Sequence, residues 1–219
     1  MLENKLSINH LIREPLKKTN TPPPLLLLIH GYGSNEEDLM NVSKEFPAEF
    51  FIISLQAPYQ VDFGRYAWFS IDFFEEKKTY NIRQAISSLE LISLFITQAI
   101  SYYNLNETNV WLCGFSQGAI LSYALALNYP KKINKIIALS GFLSKELIKM
   151  GKEPNIYSHL EFFISHGQQD DIIPIEWVKD TLKFLTNYKV SYLYQVYKAG
   201  HQINQENYID LLTWINSKL

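Results

Sequence analysis

The chain has 219 residues, of which 47% are hydrophobic and 19% charged, with a formal net charge of -2. That supplies one substantial core and fits a single domain over residues 1–219 better than two. Near-neutral charge with scattered Lys and Arg points away from nucleic acid or an acidic membrane as the main partner, and a lone cysteine, Cys113, excludes an internal disulfide.

The first eighteen residues carry no apolar h-region and no small-residue cleavage site. With the lone cysteine, this leads us to expect a soluble cytoplasmic protein without stable membrane insertion. Residues 6–13 are expected to form a short antiparallel edge strand or hairpin. Pro22, Pro23 and Pro24 stiffen the approach to the run 25–29 (Leu-Leu-Leu-Leu-Ile), which reads as a strand buried on both faces and is far too short to cross a bilayer. His30-Gly31-Tyr32-Gly33 comes directly after it. Strands are expected again at 50–55, 110–113, 133–139, 161–165 and 190–196. Between them, Ile82, Ala85, Ile86, Leu89, Ile92, Phe95, Ile96, Ala99 and Ile100 recur at helical spacing and predict a helix over 80–103. Further helices are expected over 117–128, halted before Pro130, over 175–187, and over 205–217. Short apolar runs alternating with helical patterns imply βα units and a mostly parallel sheet. One long irregular segment, 58–79, stands out as functional or mobile.

The central motif is Gly114-Phe115-Ser116-Gln117-Gly118, a G-x-S-x-G between a strand and a helix. That context lifts a serine hydroxyl on a strained turn at a strand's carboxyl end, while the new helix aims N–H groups at a developing oxyanion. A serine is a weak nucleophile and needs a base. His159, His166 and His201 come after it in the chain; His201, in Lys198-Ala199-Gly200-His201 between the last strand and last helix, has the right position. An acid is expected in the loop Gly167-Gln168-Gln169-Asp170-Asp171, and spacing does not choose between Asp170 and Asp171; the other is expected to cap the helix near Pro174 or bond a turn. The backbone N–H of Gln117 is expected to form half of an oxyanion hole, with the other half from the His30-Gly31 loop. His30 itself is expected to hold that loop. Tyr59, Phe63, Tyr66, Trp68, Phe69, Phe73 and Phe74 crowd the 58–79 segment around Asp62, Arg65 and Asp72. They are expected to form an apolar acyl-binding rim over Ser116, with Tyr66, Trp68 and Phe69 as substrate-binding residues; the competing expectation is a local satellite core or an extra strand at 66–71.

The motifs Leu28-Ile29-His30-Gly31-Tyr32-Gly33-Ser34-Asn35-Glu36-Glu37-Asp38-Leu39, Gly114-Phe115-Ser116-Gln117-Gly118, His166-Gly167-Gln168-Gln169-Asp170-Asp171-Ile172-Ile173-Pro174 and Gly200-His201 resemble the phospholipase/carboxylesterase family, which includes acyl-protein thioesterases. The resemblance spans about residues 23–219. It implies an α/β-hydrolase fold, a nucleophile at Ser116, a base at His201, an acid at Asp170, and backbone oxyanion donors at Tyr32 and Gln117. Two departures stand out: Ala119 where the family carries a second glycine, and Asp170-Asp171-Ile172-Ile173-Pro174 where it has D-x-V-P.

Together these residues lead us to expect a serine hydrolase of carboxylic esters with short to medium acyl chains, of acyl thioesters, or of lysophospholipids. The expected partner is a small-molecule ester or an acylated substrate, the expected state a monomer or homodimer, and no metal or organic cofactor is implied. Because the base must be neutral, activity is expected to rise with pH through about 6.5 to 7. Short gaps between Ser116, Asp170 and His201 leave no room for a large cap domain. A dienelactone- or peptidase-type hydrolase shares these residues, and so does a receptor-like protein that binds without turnover.

Overall fold

In a computed structural model the described residues are 6–17, 20–72, 79–149 and 154–219. Eleven strands are described in chain order: β1 (His10–Arg13), β2 (Pro24–Ile29), β3 (Phe51–Leu55), β4 (Tyr59–Asp62), β5 (Arg65–Ala67), β6 (Ile71–Asp72), β7 (Thr79–Tyr80), β8 (Asn106–Phe115), β9 (Lys135–Leu139), β10 (Glu161–Gly167) and β11 (Ser191–Tyr197). The α-helices are α1 (Glu36–Val42), α2 (Ile82–Tyr103), α3 (Gln117–Asn128), α4 (Ile175–Asn187) and α5 (Gln205–Lys218).

Seven strands form one sheet in the order β1-β3-β2-β8-β9-β10-β11. All its pairings are parallel except the β1 edge, where His10 lies opposite Leu55 in antiparallel register. Side chains alternate across this sheet and divide the core in two. Leu25, Leu27, Ile29, Leu112, Ile136 and Ile164 face α2, α3 and α4, whereas Leu26, Leu28, Trp111, Cys113, Ile137 and Phe163 face α1 and α5. The result is three layers, helices on both faces of a mostly parallel sheet, as an α/β-hydrolase fold requires. No large cap is present among the described residues.

Chain direction decides where a site can form. From β2 the chain steps to β3 on the side of the β1 edge, whereas from β8 it steps to β9 and on in the other direction. The loops leaving β2 and β8 therefore diverge, and a crevice opens at the carboxyl ends of these two central strands.

The helices match the apolar spacing closely. α2 begins at Ile82 because the Asn81 side chain accepts a hydrogen bond from Gln84 N–H, and it ends at Asn104 in the left-handed conformation (φ 53). α2 is long and apolar enough to cross a bilayer by length and composition alone. Here Ala85, Leu89, Ile92, Phe95, Ile96 and Ala99 bury one face against the sheet, each large side chain contributing about 2 kcal/mol. α3 is buried from Gln117 to Leu127, which explains why it has no polar face. α1 was not expected from apolar periodicity; it is a cap-driven element, with Asn35 accepting from Glu37 N–H and three acids in its first turn. β8 starts at Asn106, four residues before the apolar run, and those first residues are partly exposed.

The segment 58–79 is not a structureless loop. β4 and β5 form an antiparallel hairpin whose tip carries the fully solvent-facing Phe63, and β6 pairs with β7. Phe73 and Phe74, expected in the acyl rim, lie outside the described residues.

Candidate active site

Ser116 sits between β8 and α3 with φ 54 and ψ -116, an unfavourable conformation for a residue with a Cβ. Its neighbours explain why glycine flanks it. A Cβ on Gly114 would meet the Gly118 carbonyl oxygen at 2.2 Å, and one on Gly118 would meet the Ile29 carbonyl oxygen at 1.8 Å. The elbow can be this tight, and this close to β2, only without those side chains. Ala119 is accommodated from the opposite side: it faces Gly141, where a Cβ would lie 2.4 Å from the Ala119 methyl. A glycine across the gap makes room for the alanine.

The Ser116 hydroxyl donates to His201 Nε2 at 2.9 Å, and His201 Nδ1–H donates to Asp170 Oδ2 at 2.7 Å. Here the partners determine the tautomer, since a carboxylate only accepts. Ser116 is buried with 7% exposure, and the Asp170 carboxylate is fully buried. Asp170 Oδ1 accepts from the N–H groups of Ile172 (3.0 Å) and Ile173 (2.8 Å). Three donors thus fix the direction in which the carboxylate points. Glycine again allows the approach: a Cβ on Gly167 would lie 2.1 Å from the Gly200 carbonyl oxygen. Asp171 is exposed and makes no capping bond; the N-cap of α4 is Pro174, without a side-chain cap. The expected cap at that aspartate is therefore corrected, because proline's fixed φ starts the helix.

The loop after β2 lies against the elbow, with a Cβ on Gly31 falling 3.3 Å from the Ser116 Cβ. His30 holds this loop: Nδ1–H donates to the Gly31 carbonyl at 2.7 Å and Nε2 accepts from Ala57 N–H at 3.1 Å. Burial lowers its proton affinity and keeps the ring neutral, against weaker raising effects of Gly31, Asp38 and Glu36. Gly33 N–H, bonded to the Tyr66 carbonyl, pins the far side of Tyr32. Gln117 opens α3, so its N–H belongs to the helical turn that lacks an internal acceptor.

An apolar pocket of about 490 Å³, open mouth included, runs from Ser116 and Gln117. Phe69, Ile120, Phe142, Ile173 and Trp177 line it, together with Ile71, Tyr80 and Ile172. Of the three expected substrate-binding residues, only Phe69 reaches it. Trp68 is fully buried, its indole N–H donating to the His30 carbonyl at 2.9 Å, so it packs the loop rather than forming a rim. Tyr66 lines a separate polar depression with Ile8, Gln56 and Pro58, because its backbone is bonded to Gly33 and Ser34. The unforeseen organiser is the Gln117 side chain. Its Oε1 accepts from Trp68 N–H (3.0 Å) and its Nε2 donates to the Phe69 carbonyl (2.7 Å), fixing the pocket wall to the elbow. Ile120, Phe142 and Trp177 went unnoticed because they come from three separate segments and carry no motif. Among the described residues, no cluster of three or more His, Cys, Asp or Glu side chains is placed to hold a metal ion.

The family model for phospholipase/carboxylesterase matches residues 12–219. Acyl-protein thioesterase 1 of Kluyveromyces lactis is 34% identical over 159 residues, covering 70% of this chain and 69% of that protein. Carboxylesterase SOBER1 of Arabidopsis thaliana is 26% identical over 211 residues, covering 89% and 90%. Among solved structures, the Bacillus cereus carboxylesterase superposes with a TM-score of 0.83 at 19% identity, covering 97% of this chain and 95% of that one, a likeness of fold. The chain belongs to the phospholipase/carboxylesterase family, a hydrolase on the α/β-hydrolase fold.

Proposed function

We propose that this protein is a serine esterase that cleaves carboxylic esters of short to medium acyl chains, and acyl thioesters or lysophospholipids of the same acyl type, through an acyl-enzyme. One observation carries this reading: the hydrogen-bonded line Ser116–His201–Asp170 ends at the mouth of an apolar pocket.

His201 takes the Ser116 proton as Oγ attacks the acyl carbonyl. Asp170 keeps the imidazole in the accepting tautomer and stabilises its cation. The N–H groups of Tyr32 and Gln117 receive the oxyanion, each donor contributing about 3 kcal/mol. His201 then protonates the leaving alcohol or thiol, and water repeats the steps on the acyl-enzyme. Named protein groups handle every proton and charge in this sequence. The acyl chain lies in the pocket beside Phe69, Ile120 and Phe142, while the leaving group faces solvent. This assignment makes the partner a small-molecule ester or an acylated substrate. We place the protein in the cytoplasm on the strength of its single buried thiol, and take it to act as a monomer or homodimer.

A panel of p-nitrophenyl esters, acyl thioesters and lysophospholipids tests the reading, with Ser116→Ala as control. Turnover of at least one class, lost in the variant, is expected. A ligand that binds without being cleaved would replace the enzyme with a receptor.

A further inference from the structure

His166, the penultimate residue of β10, has no solvent exposure, and the acyl-transfer reaction does not use it. Its Nε2 lies 2.8 Å from the Ile173 carbonyl oxygen and 3.3 Å from Asp170 Oδ2. A carbonyl only accepts, so Nε2 carries the proton and Nδ1 is a bare lone pair. Among the described residues, that Nδ1 is buried with no hydrogen-bond partner. Burial is the main influence and lowers the ring's affinity for a second proton; Ile173 and Asp170 raise it, and His201 lowers it. Asp170 and His201 are the titratable groups acting on this ring.

Ile173 is held at both ends by the same constellation. Its N–H donates to Asp170 Oδ1 at 2.8 Å, its carbonyl accepts from His166, and its side chain lines the apolar pocket. The geometry points to His166 as a positioning residue that aims Asp170 at His201 and sets the acyl-pocket wall, both through the Ile173 backbone. A neutral ring suits this role: it donates one proton without competing with the His201 cation for the carboxylate. The inference rests on the serine-esterase reading.

Reach separates positioning from mere bulk. The amide nitrogen of glutamine extends to where Nε2 sits, whereas that of asparagine stops short, near Nδ1. The test compares His166→Gln and His166→Asn on p-nitrophenyl acetate and octanoate, with rates expressed per site titrated by a fluorophosphonate. We expect H166Q to keep kcat within about threefold and H166N to lose about ten- to hundredfold, the scale of a displaced catalytic group. In H166N the acid limb of kcat/KM moves to higher pH, because a carboxylate short of a donor favours the imidazolium. The octanoate-to-acetate ratio falls as well. Equal rates for both variants and the wild type would overturn the proposal. So would equal losses on both esters with an unmoved pH profile, the mark of a purely structural residue. Should neither variant fold, ring ¹⁵N spectra of the wild type decide. A neutral Nε2–H form of His166 at pH 7 and above supports the proposal, and an Nδ1–H form or a cation there overturns it. Wild-type protein that neither hydrolyses esters nor takes up fluorophosphonate would sink the underlying reading instead.

Discussion

The reactive end of the site and its apolar pocket are built by different means. Ser116, Asp170 and His201 stand on strand ends, brought together by close backbone approaches at Gly114, Gly118 and Gly167. The pocket is assembled from Phe69, Ile71 and Tyr80, from α3, from residue 142 and from the residues that lead into and begin α4. The first depends on what the backbone can approach, and the second on what side chains fill. Substitutions in the first should therefore act on all substrates alike, and those in the second should discriminate between them.

The sharpest break concerns the two adjacent aspartates. Asp170→Asn should lower kcat about 10⁴-fold, since the amide supports the wrong imidazole tautomer, whereas Asp171→Asn should stay near wild type. Comparable losses in both variants would dissolve the distinction.

Two glycines separate close approach from backbone strain. Gly118→Ala forces a methyl to 1.8 Å from the Ile29 carbonyl oxygen and should cost at least about 3 kcal/mol in denaturant unfolding. Gly64→Ala at the hairpin tip meets nothing within 4 Å and strains only a φ of +67, costing about 1 kcal/mol.

Trp68→Ala, which unpacks the loop behind the elbow, and Ile120→Trp, in the pocket itself, should diverge. Losing the buried indole should cost about 3 to 5 kcal/mol of stability and weaken activity on p-nitrophenyl acetate and octanoate equally. Filling the pocket from Ile120 should instead reduce octanoate about tenfold relative to acetate, at an overpacking cost of about 1 to 3 kcal/mol in unfolding.

The smallest effect is on pH. Burial lowers the proton affinity of both His30 and His166 in the folded state. The unfolded chain then binds more protons below about pH 6.5, so the contribution of these rings is complete above that value and is lost on acidification. Tm should fall between pH 7 and about 5, with a shallower slope in His30→Asn. A Tm that rises over this interval would contradict neutral buried rings.

The contrast also explains what could be read from the chain. Gly114-Phe115-Ser116-Gln117-Gly118 announced the elbow because steric exclusion dictates residue type there, and the 3.6-residue period set α3 and α4 at 117–128 and 175–187. Spacing left Asp170 and Asp171 open because neighbouring residues differ in direction, not position. Trp68 was expected at a rim because aromatic residues in a polar segment usually face ligands. Its burial depends on the Gln117 clamp, a contact 49 positions away in sequence. α1 escaped a search for apolar period although Asn35 and three acids after it signalled its start. The role of His166 was hidden for a related reason: its carbonyl partner, Ile173, is chosen by the turn around Asp170.

Acid-quenched mass spectrometry during turnover of p-nitrophenyl acetate can catch the acyl-enzyme itself. An acetyl group is expected on the peptide containing Ser116, absent in Ser116→Ala together with turnover. Hydrolysis that persists in that variant, or an acyl group carried by another residue, would contradict Ser116 as the nucleophile.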